Sequence, residues 1–210
     1  MKYFNSLPYL TTTNIDGNLY ALKNLLIRTQ MIPQLAKNPL LFYEYNLQDG
    51  DTPEIVANKY YGDPYRYWIV LYGNSNIMDP QADWPLSSQQ FSNYLNDKYA
   101  EAAGGINNVR SYIQGTVHHY EKIVTTIDNA TQTTSIKTVE IDYDTYVSIV
   151  PFSTTKTFPD RTSVVYSIST KAVSIYEYEN VLNESKRNIK LINSSYATDM
   201  ETQYQTLVKS

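Results

Sequence analysis

The 210-residue sequence contains no cysteine, which excludes a disulfide framework, thiolate metal sites and thiol catalysis. It has only 7 glycines, and none of them builds a phosphate loop or a dinucleotide fingerprint; no serine sits in a nucleophile elbow. Neither sign of charge dominates. Lys and Arg number 17 against 21 Asp and Glu, for a net charge of -4, and the basic residues are dispersed, so the basic stripe of a nucleic-acid binder is missing. Long apolar runs are missing too: the longest, Trp68 to Tyr72, is far short of the roughly 20 residues that span a bilayer. The N-terminus has no apolar stretch and no small-residue cleavage site of a secretory signal. These absences lead to the expectation of a soluble chain, made in a cytoplasm, with neither nucleic acid nor membrane as partner.

Tyrosine is what the sequence has in excess, with 21 Tyr against 5 Phe and 2 Trp. Tyrosine offers a large contact area and a polar tip at low entropic cost, which suits either a wet core or a surface that becomes an interface. Composition changes along the chain, giving an N-terminal arm over 1–40, a small module over 41–86, a helix and linker over 87–112, a Thr-rich β region over 113–170 and a helix-strand-helix segment over 171–210. The expected fold class is α+β.

Within the module, Leu41 to Leu47 alternates as a strand does, and Asp49-Gly50-Asp51 supplies a turn. Thr52 is placed to cap a helix opened by Pro53 and Glu54. Gly62 ends it, Asp63 caps the next and Pro64 opens that one. Val56, Ala57, Trp68, Leu71 and Tyr72 form the expected inward faces of this helix pair, and Ala82 to Leu86 is the candidate closing strand. This strand, helix, helix, strand order resembles the LysM module, a small peptidoglycan- or chitin-binding unit. The departure is at the end, where "ADWPLSS" runs directly into a helix capped by Ser87 and Gln90 instead of a flexible linker.

Beyond the module, Val117 to Tyr146 alternates with period two around the turn "DNAT", predicting at least one hairpin. "PFSTTKTFPDRT" reads as loop and "SVVYSIST" as a further strand. The chain then gives a helix to about Arg187, a short strand "IKLI" and a helix from about Ser195, with Tyr196, Met200, Tyr204 and Leu207 or Val208 in one stripe. That stripe either docks on the chain's own core or meets a partner. Removing it is expected to leave the module folded.

Taken together, "GDTPEIVANKYYGDPYRYWIVLYGNSNIMDP", "DWPLS" and the terminal "YEYENVLNESKRNIKLIN" resemble the LysM-containing baseplate wedge protein of contractile-tailed, T4-like bacteriophages. The resemblance implies a structural virion protein of the tail baseplate, assembled in the host cytoplasm. It would clamp the wedge core and inner-baseplate proteins together in a large hetero-oligomer, with no enzymatic activity, no cofactor and no metal. Tyr60, Tyr61, Tyr65, Trp84, Tyr196, Met200, Tyr204 and Leu207 are the candidate partner-facing residues. The alternatives are a peptidoglycan-binding LysM module of a tail-associated protein, with a groove flanked by Asp49 to Pro53 and Asn76 to Pro80, and a wall hydrolase. Carbohydrate binding is not expected. The acid pairs Asp49/Asp51 and Asp142/Asp144 lack the glycine and final Glu of a Ca²⁺ loop and read as turn acids. His118 and His119 are adjacent in a strand, where alternation would point them to opposite faces and keep them from sharing a metal.

Overall fold

A computed structural model describes residues 3–13, 15–27, 37–74, 77 and 79–209. Two compact units divide the chain. One takes residues 1–90 and 184–210, and the other is the continuous stretch 91–183. In chain order the first unit opens with helix α1 (Tyr3–Ser6) and strands β1 (Tyr9–Thr13) and β2 (Leu19–Lys23), then β3 (Phe42–Asn46), α2 (Pro53–Tyr61) and α3 (Tyr67–Tyr72). Helix α4 (Ser88–Tyr99) leads into the second unit, which holds α5 (Val109–Gly115), β4 (Val117–Asp128), β5 (Thr133–Ile141), α6 (Tyr143–Ser148), β6 (Phe152–Thr157) and β7 (Ser163–Ser174). Helix α7 (Ile175–Ser185) leads back to β8 (Asn188–Ile192) and α8 (Ala197–Lys209). Helix and strand are thus mixed in an α+β chain.

The helix ends of the first unit follow from local chemistry. Thr52 accepts a hydrogen bond from the Ile55 N–H at the start of α2, and Pro53 takes the first helical position, where its missing N–H costs nothing. Gly62 closes the helix in the left-handed region at φ 71°, which a residue with a Cβ adopts at a cost. Asp63 then caps a short 3-10 turn through Tyr65 N–H, and α3 follows at once. The joint is too short for the two helices to separate.

The strand that closes this unit is not the expected one. Ala82 to Leu86 forms no strand, and β3 pairs antiparallel with β8, from Phe42 opposite Ile192 to Asn46 opposite Asn188. The order strand, helix, helix, strand is therefore completed only after the second unit has intervened. Two backbone bonds extend the ladder at its ends, Asn193 N–H to Leu41 O and Leu47 N–H to Arg187 O. Leu47, Val56, Ala57, Trp68, Ile69, Val70, Ile189 and Leu191 form the buried centre. Leu7, Ala197, Tyr204 and Val208 join it.

In the second unit a four-stranded antiparallel sheet runs in the order β5-β4-β7-β6. The turn of the β4–β5 hairpin is where alternation placed it, but Ile123 lies opposite Thr138 and Ile127 opposite Thr134, while Val139 faces Lys122 and Ile141 faces Tyr120. The stretch "PFSTTKTFPDRT" is not all loop. Its first half is the edge strand β6, with Phe152 opposite Ile168. A Thr-rich segment exposed along its length carries no apolar alternation to announce it, so only the partner strand reveals it. Buried apolar side chains of this unit are few: Phe91, Leu95, Val109, Ile113, Val173 and Ile175.

Candidate functional site

The turn between β3 and α2, the first half of the expected sugar groove, is engaged internally. Asp51 is buried and accepts hydrogen bonds from Lys59 Nζ at 2.6 Å, Gln48 N–H at 3.0 Å and Tyr45 OH at 3.2 Å. Burial acts to raise its pKa, but the Lys59 ammonium and the Gln48 N–H outweigh burial and hold the carboxyl below its ordinary value. The Asp51 carbonyl accepts from Trp84 Nε1 at 2.7 Å. Asp49 accepts from both the N–H and the Oγ of Ser88, each at 2.9 Å, so this acid anchors the start of α4. Those Ser88 bonds lower its pKa. On the other side of the expected groove, Asn76 lies outside the described residues.

Asn74 substitutes for a strand residue. Its side-chain amide donates to Lys190 O and accepts from Lys190 N–H at 2.7 and 2.8 Å, pairing with β8 as a backbone would, while a further bond reaches Val70 O. Gly73 beside it approaches the same strand: a Cβ there would stand 3.1 Å from Lys190 O and 3.3 Å from Ile192 Cγ1. Tyr61 OH donates to Ile192 O at 2.7 Å, and burial pushes this phenol's pKa up.

The candidate partner-facing residues divide accordingly. Tyr61, Trp84 and Tyr204 are interior, which corrects their assignment as partner-facing: each has its ring enclosed, and Tyr61 and Trp84 spend their polar atoms on the backbone of their own unit. Tyr204 stacks 5.0 Å from Tyr3 and lies 5.0 Å from Trp68. Tyr60 and Met200 are half-buried against the same core, with Tyr60 stacked on Tyr43 at 5.8 Å. Tyr65, Tyr196 and Leu207 are exposed. Val56, Ala57 and Trp68 are buried, with Leu71 and Tyr72 packed at the edge of that core.

The C-terminal stripe faces inward through Ala197, Tyr204 and Val208, so Leu207 turns outward and Val208 takes the buried position. Arg66 fixes α8 in place through a two-pronged pair with Glu201, Nε to Oε1 at 3.0 Å and Nη2 to Oε2 at 3.2 Å. Against the expectation that the module folds without this helix stands the placement of part of the module's core on it: Ala197, Tyr204 and Val208.

The second unit holds a buried carboxylate that sequence reasoning passed over. Glu179 on α7 accepts from Tyr99 OH at 2.6 Å, Lys98 Nζ at 2.7 Å and Tyr94 OH at 3.2 Å, all from α4. Burial opposes the charge, yet the Lys98 and Tyr99 bonds keep the Glu179 pKa below its ordinary 4.5. Burial together with the Glu179 contact pushes the Tyr99 phenol up to about 12. The spacing of Tyr94, Lys98 and Tyr99, with Lys98 four residues and Tyr99 five residues after Tyr94 on one helix, was the available signal.

Asp142 caps α6 through Thr145 N–H at 2.8 Å, with Asp144 in the first turn of that helix, so this acid pair serves a helix end. The histidines need a correction. A register irregularity between Val117 and His119 breaks the alternation, and the two Nδ1 atoms come within 2.9 Å, with His118 stacked on Tyr178 at 3.8 Å. Two nitrogens remain short of a ligand set: among the described residues no three of His, Cys, Asp or Glu come together to hold a metal ion. No helix among the described residues is long and apolar enough to cross a membrane.

Both units thus offer exposed tyrosines and aliphatics on a scaffold in which Asp49, Asp51, Asp142 and Glu179 are occupied with its own turns, caps and helix contacts, the surface of a chain suited to assembly. A family model for Base plate wedge protein 53, a phage family, matches residues 3–210, and the chain belongs to that family. No curated protein matches it. Membership makes it a structural component of the virion's tail baseplate, where it assembles with other baseplate proteins.

Proposed function

We propose that the chain is a non-catalytic clamp that joins the wedge core to neighbouring inner-baseplate proteins, and that its first unit is a LysM-type module turned from sugar recognition to protein assembly in a contractile tail. The observation that carries this reading is the fate of the β3–α2 turn. Asp49 and Asp51, which would border a sugar groove, are engaged by Ser88, Lys59 and Tyr45, and the nearby Trp84 is buried with its Nε1 on the turn's own backbone. On this border of the groove both carboxylates are engaged internally, while Tyr65, Tyr196 and Leu207 stay exposed on the same unit. Assembly takes place in the host cytoplasm before release of the virion.

The test is a phage lacking this gene, complemented with the full chain or left without it. Without it, wedge intermediates should accumulate and no complete baseplate should be visible by electron microscopy. Complete baseplates in its absence would refute the clamp. Calorimetry with muropeptides and chitin oligomers should show no affinity tighter than about millimolar, near -4 kcal/mol; micromolar binding would favour a retained wall-binding module. No reducing ends should be released from peptidoglycan.

A further inference from the structure

We propose that the sheet face bearing Val124, Ile168 and Phe152 is a docking surface for an amphipathic helix of another baseplate protein, one whose apolar stripe is bordered by aspartate or glutamate. The inference rests on the reading of the chain as a clamp and names a surface through which it would act.

Directly paired residues of neighbouring strands project to the same face of a sheet. Val124 is paired with Ile168, and Ile168 with Phe152, forming an apolar row across three strands. One level along, Thr126 is paired with Tyr166, whose ring lies 6.1 Å from that of Phe152. On the opposite face Thr125 pairs with Ser167 and Ser167 with Ser153, and although Ile136 ends that row and Ile127 pairs with Val165, no Phe, Tyr or Trp stands on that face of the strands. The two faces are therefore chemically distinct.

A second layer has begun to form on the apolar face and stops. Helix α6 covers its Tyr120 end, with Tyr146 at 4.5 Å and Tyr143 at 5.4 Å from the Tyr120 ring. Beyond it, Val139, Phe152 and Tyr166 remain 44%, 49% and 37% exposed. Four strands of about nine residues cover roughly 19 by 30 Å, and with about a third of that length under α6 on the order of 400 Å² stays open, about half of one partner's share of a standard interface, about 800 Å². A helix about 10 Å across fits the width that α6 leaves.

Charge selects the partner. Lys122, Lys137 and Lys156 all lie on this face, paired respectively with Val139, Val124 and Val164. Its acid, Asp128, has turned its carboxylate onto the Ala130 and Thr131 N–H groups. The opposite face carries Glu121 and Glu140 together with Lys171. A basic rim in a chain of net charge -4 complements a carboxylate-bordered helix, whereas a second copy of the same face would set lysine against lysine.

The experiment places p-benzoylphenylalanine at Phe152, or at Thr138 on the opposite face, in the full chain complementing a phage that lacks it, and maps crosslinks in purified tails. Phe152 should crosslink to a helix of another baseplate protein with acids beside its apolar stripe, roughly tenfold above the yield at Thr138. Lys137→Glu with Lys156→Glu, verified as folded by circular dichroism, should lower that yield about tenfold, and Lys137→Arg with Lys156→Arg should retain it. Three outcomes overturn the proposal while the clamp reading stands: no Phe152 crosslink in tails that contain the chain, a crosslink to a second copy, or a yield indifferent to charge reversal. Complete tails formed without the chain overturn both.

Discussion

The two units are stabilised by different means. The first encloses Val56, Ala57, Ile69, Val70 and Leu191 completely and gathers its core from four stretches of sequence. The second leaves both faces of its sheet largely open; of all its strand residues only Val173 is buried. Its order comes from the hydrogen-bond ladder, a few buried side chains on its helices and the charged contact at Glu179. A closed apolar core stabilises roughly in proportion to the area it removes from water, whereas an open sheet keeps its surface for another molecule. The closed core lies in one unit and the open sheet in the other, while both leave large apolar side chains exposed, Leu10 and Leu19 in the first and Phe152 and Tyr166 in the second.

The largest test of that contrast removes residues from Ser195 onward. Losing the buried Ala197, Tyr204 and Val208 and stranding Arg66 should cost on the order of 5 kcal/mol or more, comparable with the total stability of a domain, about 5 to 15 kcal/mol. Hydrogen exchange should show protection lost in β3 and α2 but kept in β4 and β7; retained protection in β3 would mean that the core does not need α8. Next in size, Trp68→Ala opens a cavity in the aromatic group with Tyr3 and Tyr204 and should cost about 3 to 5 kcal/mol. Its urea midpoint should fall for the first unit alone.

Glu179→Gln probes the other unit and should cost about 2 kcal/mol, since it weakens charged hydrogen bonds at a buried site whose lysine partner is still half in water. The pH dependence has a definite sign. Because the folded Glu179 pKa lies below 4.5, its contribution is fully present above that value and is lost as pH falls through the lowered folded pKa. The variant should lack this acid step in β4 and β7 protection, and an unchanged acid profile would show that Glu179 does not govern it. Asp51, lowered likewise, should give the first unit an acid step that Glu179→Gln leaves in place. Smallest is Gly73→Ala. Its backbone is helical, so the penalty comes from the close approach to Lys190 O and Ile192 Cγ1, about 1 kcal/mol. A stabilised variant would mean that β8 yields readily.

What was legible in the sequence was local. Thr52-Pro53, Asp63-Pro64 and Ser87 with Gln90 announce helix starts because a cap and its target lie within three residues of each other. The α+β class followed from such signals. The pairing of Phe42 with Ile192 carries no local mark: Ala82 to Leu86 looked as good a closing strand as "IKLI", and only packing chooses between them. The same limit applied to the candidate site. Periodicity found the C-terminal stripe, but whether it turned Leu207 or Val208 inward depended on the core it met. The histidine pair was misread because a strand irregularity suspends the alternation on which the reading relied.

The late arrival of β8 also has a consequence in time. The chain must add the whole stretch 91–183 before the partner of β3 exists, and at about 5 to 20 residues per second that delay is on the order of 5 to 20 s. During it Leu47, Val56 and Ile69 lack the strand that will help enclose them, while every strand of the inserted sheet becomes available in sequence. Synthesis therefore favours the open unit forming first, and the nascent chain presents a nearly finished docking face while its other half is still an exposed, aggregation-prone intermediate.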